Sequence, residues 1–271
     1  MNDRAAALNV LQLGSGPTIV FVHGSTSSGE SFAAQAPLAD RFTLRIVDRR
    51  GFGASPEPDG RVDFDRDAVD LVELLGSDGA HLVGHSYGGV VALLVAAAAP
   101  ARVRSLTVIE PPLFSAIADH PASMALRRRL EPLFPSVDDP TESAWVGRFA
   151  AGLGFPPPDA PPDALETRNI RSSMTERPIW EAVAPLVAIR DSGVPVLVVR
   201  GGWEPYPPAA EIGGAFFGAV CDRLVDELGA EAAAFPGTFH GPQASGPPFN
   251  DVLTNFVERA EAARSIGRDA G

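Results

Sequence analysis

The chain has 271 residues, 45% of them hydrophobic and 21% charged, with 34 acidic residues against 22 basic ones and a formal net charge of −12. A single domain of this length can bury roughly three quarters of its unfolded surface, and the acidic balance offers no electrostatic footprint to nucleic acid or to an anionic membrane. All the basic residues are arginine, and Cys221 is the single cysteine. Schiff-base chemistry, a phosphate-loop lysine and an intramolecular disulfide are therefore excluded, and no Cys/His spacing reads as a zinc site. Met1–Ala7 lacks the apolar core of a signal peptide, and no apolar run approaches about 18 residues, so a cytoplasmic protein without metal or cofactor is expected.

In chain order, β-branched apolar runs predict strands over 8–13, 18–22, 42–47, 80–84, 104–109, 195–199 and 230–235. Helical patterns fall between or after them, over 29–39, 64–75, 87–99, 208–228 and 249–263. This alternation predicts an α/β fold with a mostly parallel sheet flanked by helices. Gly14-Ser15-Gly16-Pro17 reads as a hairpin turn that would pair the first two strands antiparallel at one edge. Between Leu113 and Asp191 prolines are dense and no strand pattern appears. Residues 113–191 are therefore expected to form a helical insertion in a core made of 1–112 and 192–271, with fraying beyond Ala263.

The strongest chemical signal is Gly84-His85-Ser86-Tyr87-Gly88, placed between the strand His81-Leu82-Val83 and the helix pattern that begins at Gly89. A sharp strand-to-helix turn needs small residues at Gly84 and Gly88 and exposes Ser86 at its tip in a strained conformation, which suits a nucleophile. The Tyr87 amide then opens a helix, where unsatisfied N–H groups and the helix dipole favour a developing oxyanion.

These residues resemble the nucleophile elbow of the α/β-hydrolase family. Ile19-Val20-Phe21-Val22-His23-Gly24-Ser25 resembles that family's oxyanion loop, and Asp48-Arg49-Arg50-Gly51-Phe52-Gly53-Ala54-Ser55 resembles its Asp-x-x-Gly-x-Gly-x-Ser turn, which is chiefly structural. The resemblance spans roughly residues 10–259, with the insertion as a cap of variable sequence. It implies Ser86 as nucleophile, the Ser25 amide as second oxyanion donor beside Tyr87, and His240, in Gly237-Thr238-Phe239-His240, as the base. It also implies a carboxylate that orients His240, and here two positions compete. Glu110 ends an apolar strand, where a carboxylate requires a buried partner. Glu204 stands three residues after Gly201, as in the family's Gly-x-x-Asp pattern, but in a proline-rich loop that would leave it solvated. The reading favours Glu110 and keeps Glu204 as the alternative.

A serine at the elbow departs from the family branches that attack with aspartate, the dehalogenases and epoxide hydrolases. What remains is acyl-enzyme chemistry on a small-molecule substrate carrying an acyl group, as in cleavage of a carboxylic ester, thioester or lactone. Other acyl-carbon chemistry on the same residues (C–C bond hydrolysis, acyl transfer or cyclisation) is the alternative, with a non-catalytic binding protein as the third. Phe114, Met124, Leu130, Phe134, Trp145, Phe149, Phe155 and Trp180 are candidates to line an apolar acyl pocket, and Arg127-Arg128-Arg129 reads as a solvated face.

Overall fold

A computed structural model of the chain describes residues 7–134 and 141–269, the side chains of 266–269 excepted. The segment 1–6, read above as lacking a leader's apolar core, lies outside the described residues. Seven strands form one sheet: β1 (Val10–Leu13), β2 (Thr18–Val22), β3 (Thr43–Val47), β4 (Ala80–His85), β5 (Val103–Ile109), β6 (Val196–Gly201) and β7 (Glu231–Phe235). Their order is β1-β3-β2-β4-β5-β6-β7, parallel throughout except for β1.

The expected hairpin does not form. β1 is antiparallel at an edge, but its partner is β3, with Val10 opposite Val47, and β3 lies between it and β2. The Gly14–Pro17 turn instead crosses the start of β3. Gly14 and Gly16 adopt φ +72 and +119, and a Cβ on either would come within 2.3–2.5 Å of carbonyl oxygens at Ala39, Phe42 and Arg41. The glycines serve a close backbone approach rather than a two-strand reversal.

Alternation along each strand builds the two faces of the core. Val20, Val22, Leu82, Val108 and Val198 pack beneath α1 (Phe64–Leu74), α2 (Tyr87–Ala98) and α8 (Ala215–Leu228). Ile19, Phe21, Val83, Leu197 and Val199 pack against a 3-10 run (Gly29–Asp40) and α9 (Pro247–Asp269). α9 continues as helix well past Ala263, where fraying was expected.

Between β5 and β6 the described residues are helical or irregular. They include α3 (Pro121–Leu130), α4 (Glu142–Leu153), α5 (Ala164–Met174) and α6 (Leu186–Asp191). α5 opens with a reciprocal cap, Asp163 accepting from the Glu166 amide while Glu166 accepts from the Asp163 amide; this satisfies two otherwise orphaned donors. Leu126, Leu130, Trp145 and Ile170 join the same apolar cluster as α2 and α8, so the insertion packs directly on the core.

The helix expected over 208–228 is interrupted. α7 (Pro207–Ala209) runs into a π-helical turn (Ala210–Gly214) before α8. A Cβ on Gly213 or Gly214 would come within 2.9–3.0 Å of the Trp203 ring, so the widened turn makes room for that indole.

Candidate active site

Register brings the carboxyl ends of the central strands together: His85 lies opposite Ile109, and Ile109 opposite Val199. At the end of β4, Ser86 takes φ +52 and ψ −125. The flanking glycines are obligatory, since a Cβ on Gly84 would lie 2.3 Å from the Gly88 carbonyl oxygen and one on Gly88 would lie 2.4 Å from the Val22 and His23 oxygens. The Ser86 amide donates to the Ile109 carbonyl at 2.9 Å, pinning the turn to the next strand.

The Ser86 hydroxyl lies 2.9 Å from His240 Nε2, and His240 Nδ1 lies 2.8 Å from Glu110 Oε2. With a carboxylate at Nδ1, that nitrogen carries the proton and Nε2 is the acceptor for the serine hydroxyl. Glu110 is fully buried, with its other oxygen accepting from the Gly201 amide and Trp203 Nε1, each at 2.8 Å. Three donors thus satisfy a charge that would be prohibitive alone.

Glu204 does not reach this site. It is exposed, and its carboxylate is held below the usual carboxylate range by its own backbone N–H and then by the Gly237 amide, which donates to it at 3.1 Å. The pattern that favoured it supplies a different residue: Trp203, one position earlier, orients Glu110. Asp222 is paired with Arg200 on the surface.

His240 is held from several sides. Phe217 stacks on its ring at 4.1 Å, and a Cβ on Gly201 would lie 2.1 Å from the Phe239 carbonyl, so the loop passes tightly over the end of β6. The His240 carbonyl accepts from His85 Nε2 at 2.5 Å. Burial, followed by the neighbouring His240, lowers the His85 pKa to about 3 and keeps that imidazole neutral.

Ser25 and Tyr87 both border the cavity that opens onto Ser86. Tyr87 is the first residue of α2, so its amide has no partner within the helix. Gly24 passes so close that a Cβ on it would lie 2.8 Å from the Ser86 Cβ. Among the described residues the non-glycine positions with positive φ are Thr26, Ser86, Glu110 and Trp203, at 58, 52, 44 and 66°. All four belong to this one site, where such strain persists because the surroundings over-determine it.

A second buried network underlies the loop that carries Ser25, and sequence reasoning missed it. Arg49 donates to Asp67 at 2.9 Å, to Glu176 at 2.6 Å and to the His23 and Gly24 carbonyls, with its guanidinium between the Phe52 and Tyr87 rings. Glu176, just past α5, also accepts from the Ser25 hydroxyl at 2.5 Å, while Ser173 Oγ accepts from the Thr26 amide at 2.7 Å. Burial raises both carboxyl pKa values and Arg49 pulls them back. His23 donates through Nδ1 to Gly24 and accepts the Arg49 amide at Nε2, and desolvation lowers its pKa well below the ordinary value. Asp48 accepts the Gly29 and Ala54 amides, the structural role expected of it.

The cavity over Ser86 holds about 370 Å³. Phe114, Leu130, Phe134, Phe149, Phe155 and Trp180 line it as expected. Trp145 lies behind, stacked on Phe149 at 5.1 Å, and Met124 is exposed. Arg127, Arg128 and Arg129 are exposed as well. Among the described residues no group of three or more His, Cys, Asp or Glu is placed to hold a metal ion, and no helix is long and apolar enough to cross a membrane.

The model of the alpha/beta hydrolase family matches residues 19–249, and the chain belongs to that family. It is 30% identical to 2-(acetamidomethylene)succinate hydrolase of Mesorhizobium japonicum, over 93% of this chain and 91% of that one. It is 38% identical to the pimeloyl-[acyl-carrier protein] methyl ester esterase of Chromobacterium violaceum, over 53% of this chain and 56% of the relative. Among solved structures, an alpha/beta hydrolase from Sphaerobacter thermophilus superposes with a TM-score of 0.63 at 24% identity, covering 92% of this chain and 95% of that one.

Proposed function

We propose that the protein is a serine hydrolase that cleaves a carboxylic ester, thioester or lactone through an acyl-enzyme on Ser86. The observation that carries this reading is the unbroken chain of contacts from the Ser86 hydroxyl through His240 to buried Glu110, at 2.9 and 2.8 Å. His240 Nε2 takes the hydroxyl proton as Ser86 Oγ attacks the acyl carbon, and Glu110 stabilises the imidazolium without itself becoming protonated. The Ser25 and Tyr87 amides receive the oxyanion, a service worth about 10²–10³ in rate per donor in such sites. His240 then protonates the leaving group. It next activates a water, whose attack releases the acid and restores Ser86. Residues 113–191 act as a cap that supplies the acyl pocket and excludes bulk water.

A second reading is other acyl-carbon chemistry on the same residues. Its support is that the relative matching most of the chain is named for hydrolysis of 2-(acetamidomethylene)succinate rather than of an ester. Turnover of p-nitrophenyl acetate, butyrate and octanoate separates the two. The first reading predicts hydrolysis abolished in Ser86→Ala; an enzyme that reacts at Ser86 with a fluorophosphonate yet turns over no ester supports the second.

A further inference from the structure

The charged groups around the cavity are already spent on one another. His85, Tyr87, Glu176, Arg177 and His240 are the ionisable residues that line it, and burial keeps His85 and Tyr87 uncharged. Arg177 donates to Glu181 and Asp65, each at 2.8 Å, approaches Asp63 at 3.6 Å, and lies over the Phe64 ring. Arg49 is 1% exposed, behind Glu176, and is shared between two carboxylates. One guanidinium is thus shared between the Asp67 and Glu176 carboxyl groups, and Glu176 is the member of the group that lines the cavity. Arg127 is half-exposed, paired with Glu131 and laid over Trp180. Among the described residues, every guanidinium bordering the cavity already has a carboxylate partner.

Apart from the hydroxyl residues Ser25, Thr26, Ser27, Ser31 and Ser86, the rest of the wall is aliphatic and aromatic. Leu126, Leu130 and Leu153 line the cavity together with the Phe134 and Trp180 rings, which cross edge to face at 5.7 Å. Such a wall repays desolvation of apolar surface and offers ring edges and faces to an aryl group. A carboxylate entering it would lose hydration, find only a guanidinium already held by other carboxylates and approach Glu176, three costs of the same sign.

We propose that the acyl group accepted here is uncharged and apolar, aryl-bearing or branched, and that an acyl group ending in a carboxylate is refused. The proposal rests on the serine-hydrolase reading and names the substrate class of that site.

The test compares p-nitrophenyl 4-methylpentanoate and 4-phenylbutanoate with p-nitrophenyl hemisuccinate, whose carboxylate replaces an isopropyl group of similar shape. At pH 7.5 the neutral esters are expected to lead in kcat/KM by at least about 100-fold. Glu176→Gln slows both classes of ester alike through the Ser25 loop, so its reading is the ratio, which should narrow by about tenfold as the repulsion felt only by the hemisuccinate is removed. A readout independent of turnover is protection of Ser86 from a fluorophosphonate by 2-phenylethylboronic acid against 2-carboxyethylboronic acid, where the neutral compound should protect at about 100-fold lower concentration. Equal or better use of the hemisuccinate, or equal protection by the two boronic acids, overturns the substrate class while leaving the nucleophile in place. No turnover together with no labelling of Ser86 defeats the parent reading and this one with it.

Discussion

The carboxyl edge of the sheet and the helical insertion above it face the same cavity but are built on opposite terms. At the sheet edge each residue is specified by geometry: Ser86, Glu110 and Trp203 take positive φ, and the glycines beside them admit no Cβ. The insertion presents large apolar side chains whose identity matters mainly through volume, with Glu176 and Ser173 as its polar links to the oxyanion loop. Chemistry that needs a particular atom within tenths of an ångström is carried by the rigid element, and substrate shape by the adaptable one.

The largest effects should therefore fall at the sheet edge. Ser86→Ala is expected to lower kcat by about 10⁵–10⁶ with the folded spectrum retained, measured by ester hydrolysis and circular dichroism. Glu110→Gln should lower kcat by about 10³–10⁴, because it removes the charge that steadies the imidazolium, whereas Glu204→Gln should change it by less than about twofold. A large loss in the Glu204 variant would erase the distinction between a buried and a solvated carboxylate.

Acid should loosen this same edge. The folded pKa of His85, about 3, lies below its ordinary value near 6.5, so its stabilising contribution is complete above pH 6.5 and is lost as pH falls toward 3. At pH 5 the loss amounts to about 2 kcal/mol. Glu176 and Asp67, with raised pKa values, act in the opposite sense as they take up protons. Urea denaturation at pH 7.5 and 5.0 should show the stability difference shrinking by about 2 kcal/mol in His85→Gln, whose amide can still donate to the His240 carbonyl.

Changes in the insertion should be milder. Glu176→Gln is expected to lower kcat for a neutral ester by about tenfold at unchanged KM, since it relaxes the oxyanion loop through Ser25 without touching the reacting atoms. Phe149→Ala should raise KM for the octanoate about fivefold and leave the acetate unaffected. An equal effect on both esters would place Phe149 in the packing of the insertion rather than in the acyl wall.

The same contrast explains what could be read from the residues alone. The elbow, the oxyanion loop and the His240 loop were legible because each is a short motif whose backbone demands specific residues. The burial of Glu110 against His240 was readable because a carboxylate ending an apolar strand needs a partner. The Arg49–Glu176 link was not, because it joins residues 127 positions apart and neither flanking sequence signals burial. The edge pairing was misread because a glycine-rich turn signals a reversal of direction but not which strand slips between its arms. The π turn at Ala210–Gly214 depends on where the Trp203 ring comes to rest, a packing outcome with no local signature.

The most direct test of the central claim is the rate and location of fluorophosphonate labelling, followed by intact mass and peptide mapping, in the wild type, Glu110→Gln and Glu204→Gln. The Ser86–His240–Glu110 account predicts a single adduct on Ser86, slowed at least about 100-fold in Glu110→Gln and unchanged in Glu204→Gln. An adduct on another residue, or slow labelling in Glu204→Gln with Glu110→Gln unaffected, would contradict it.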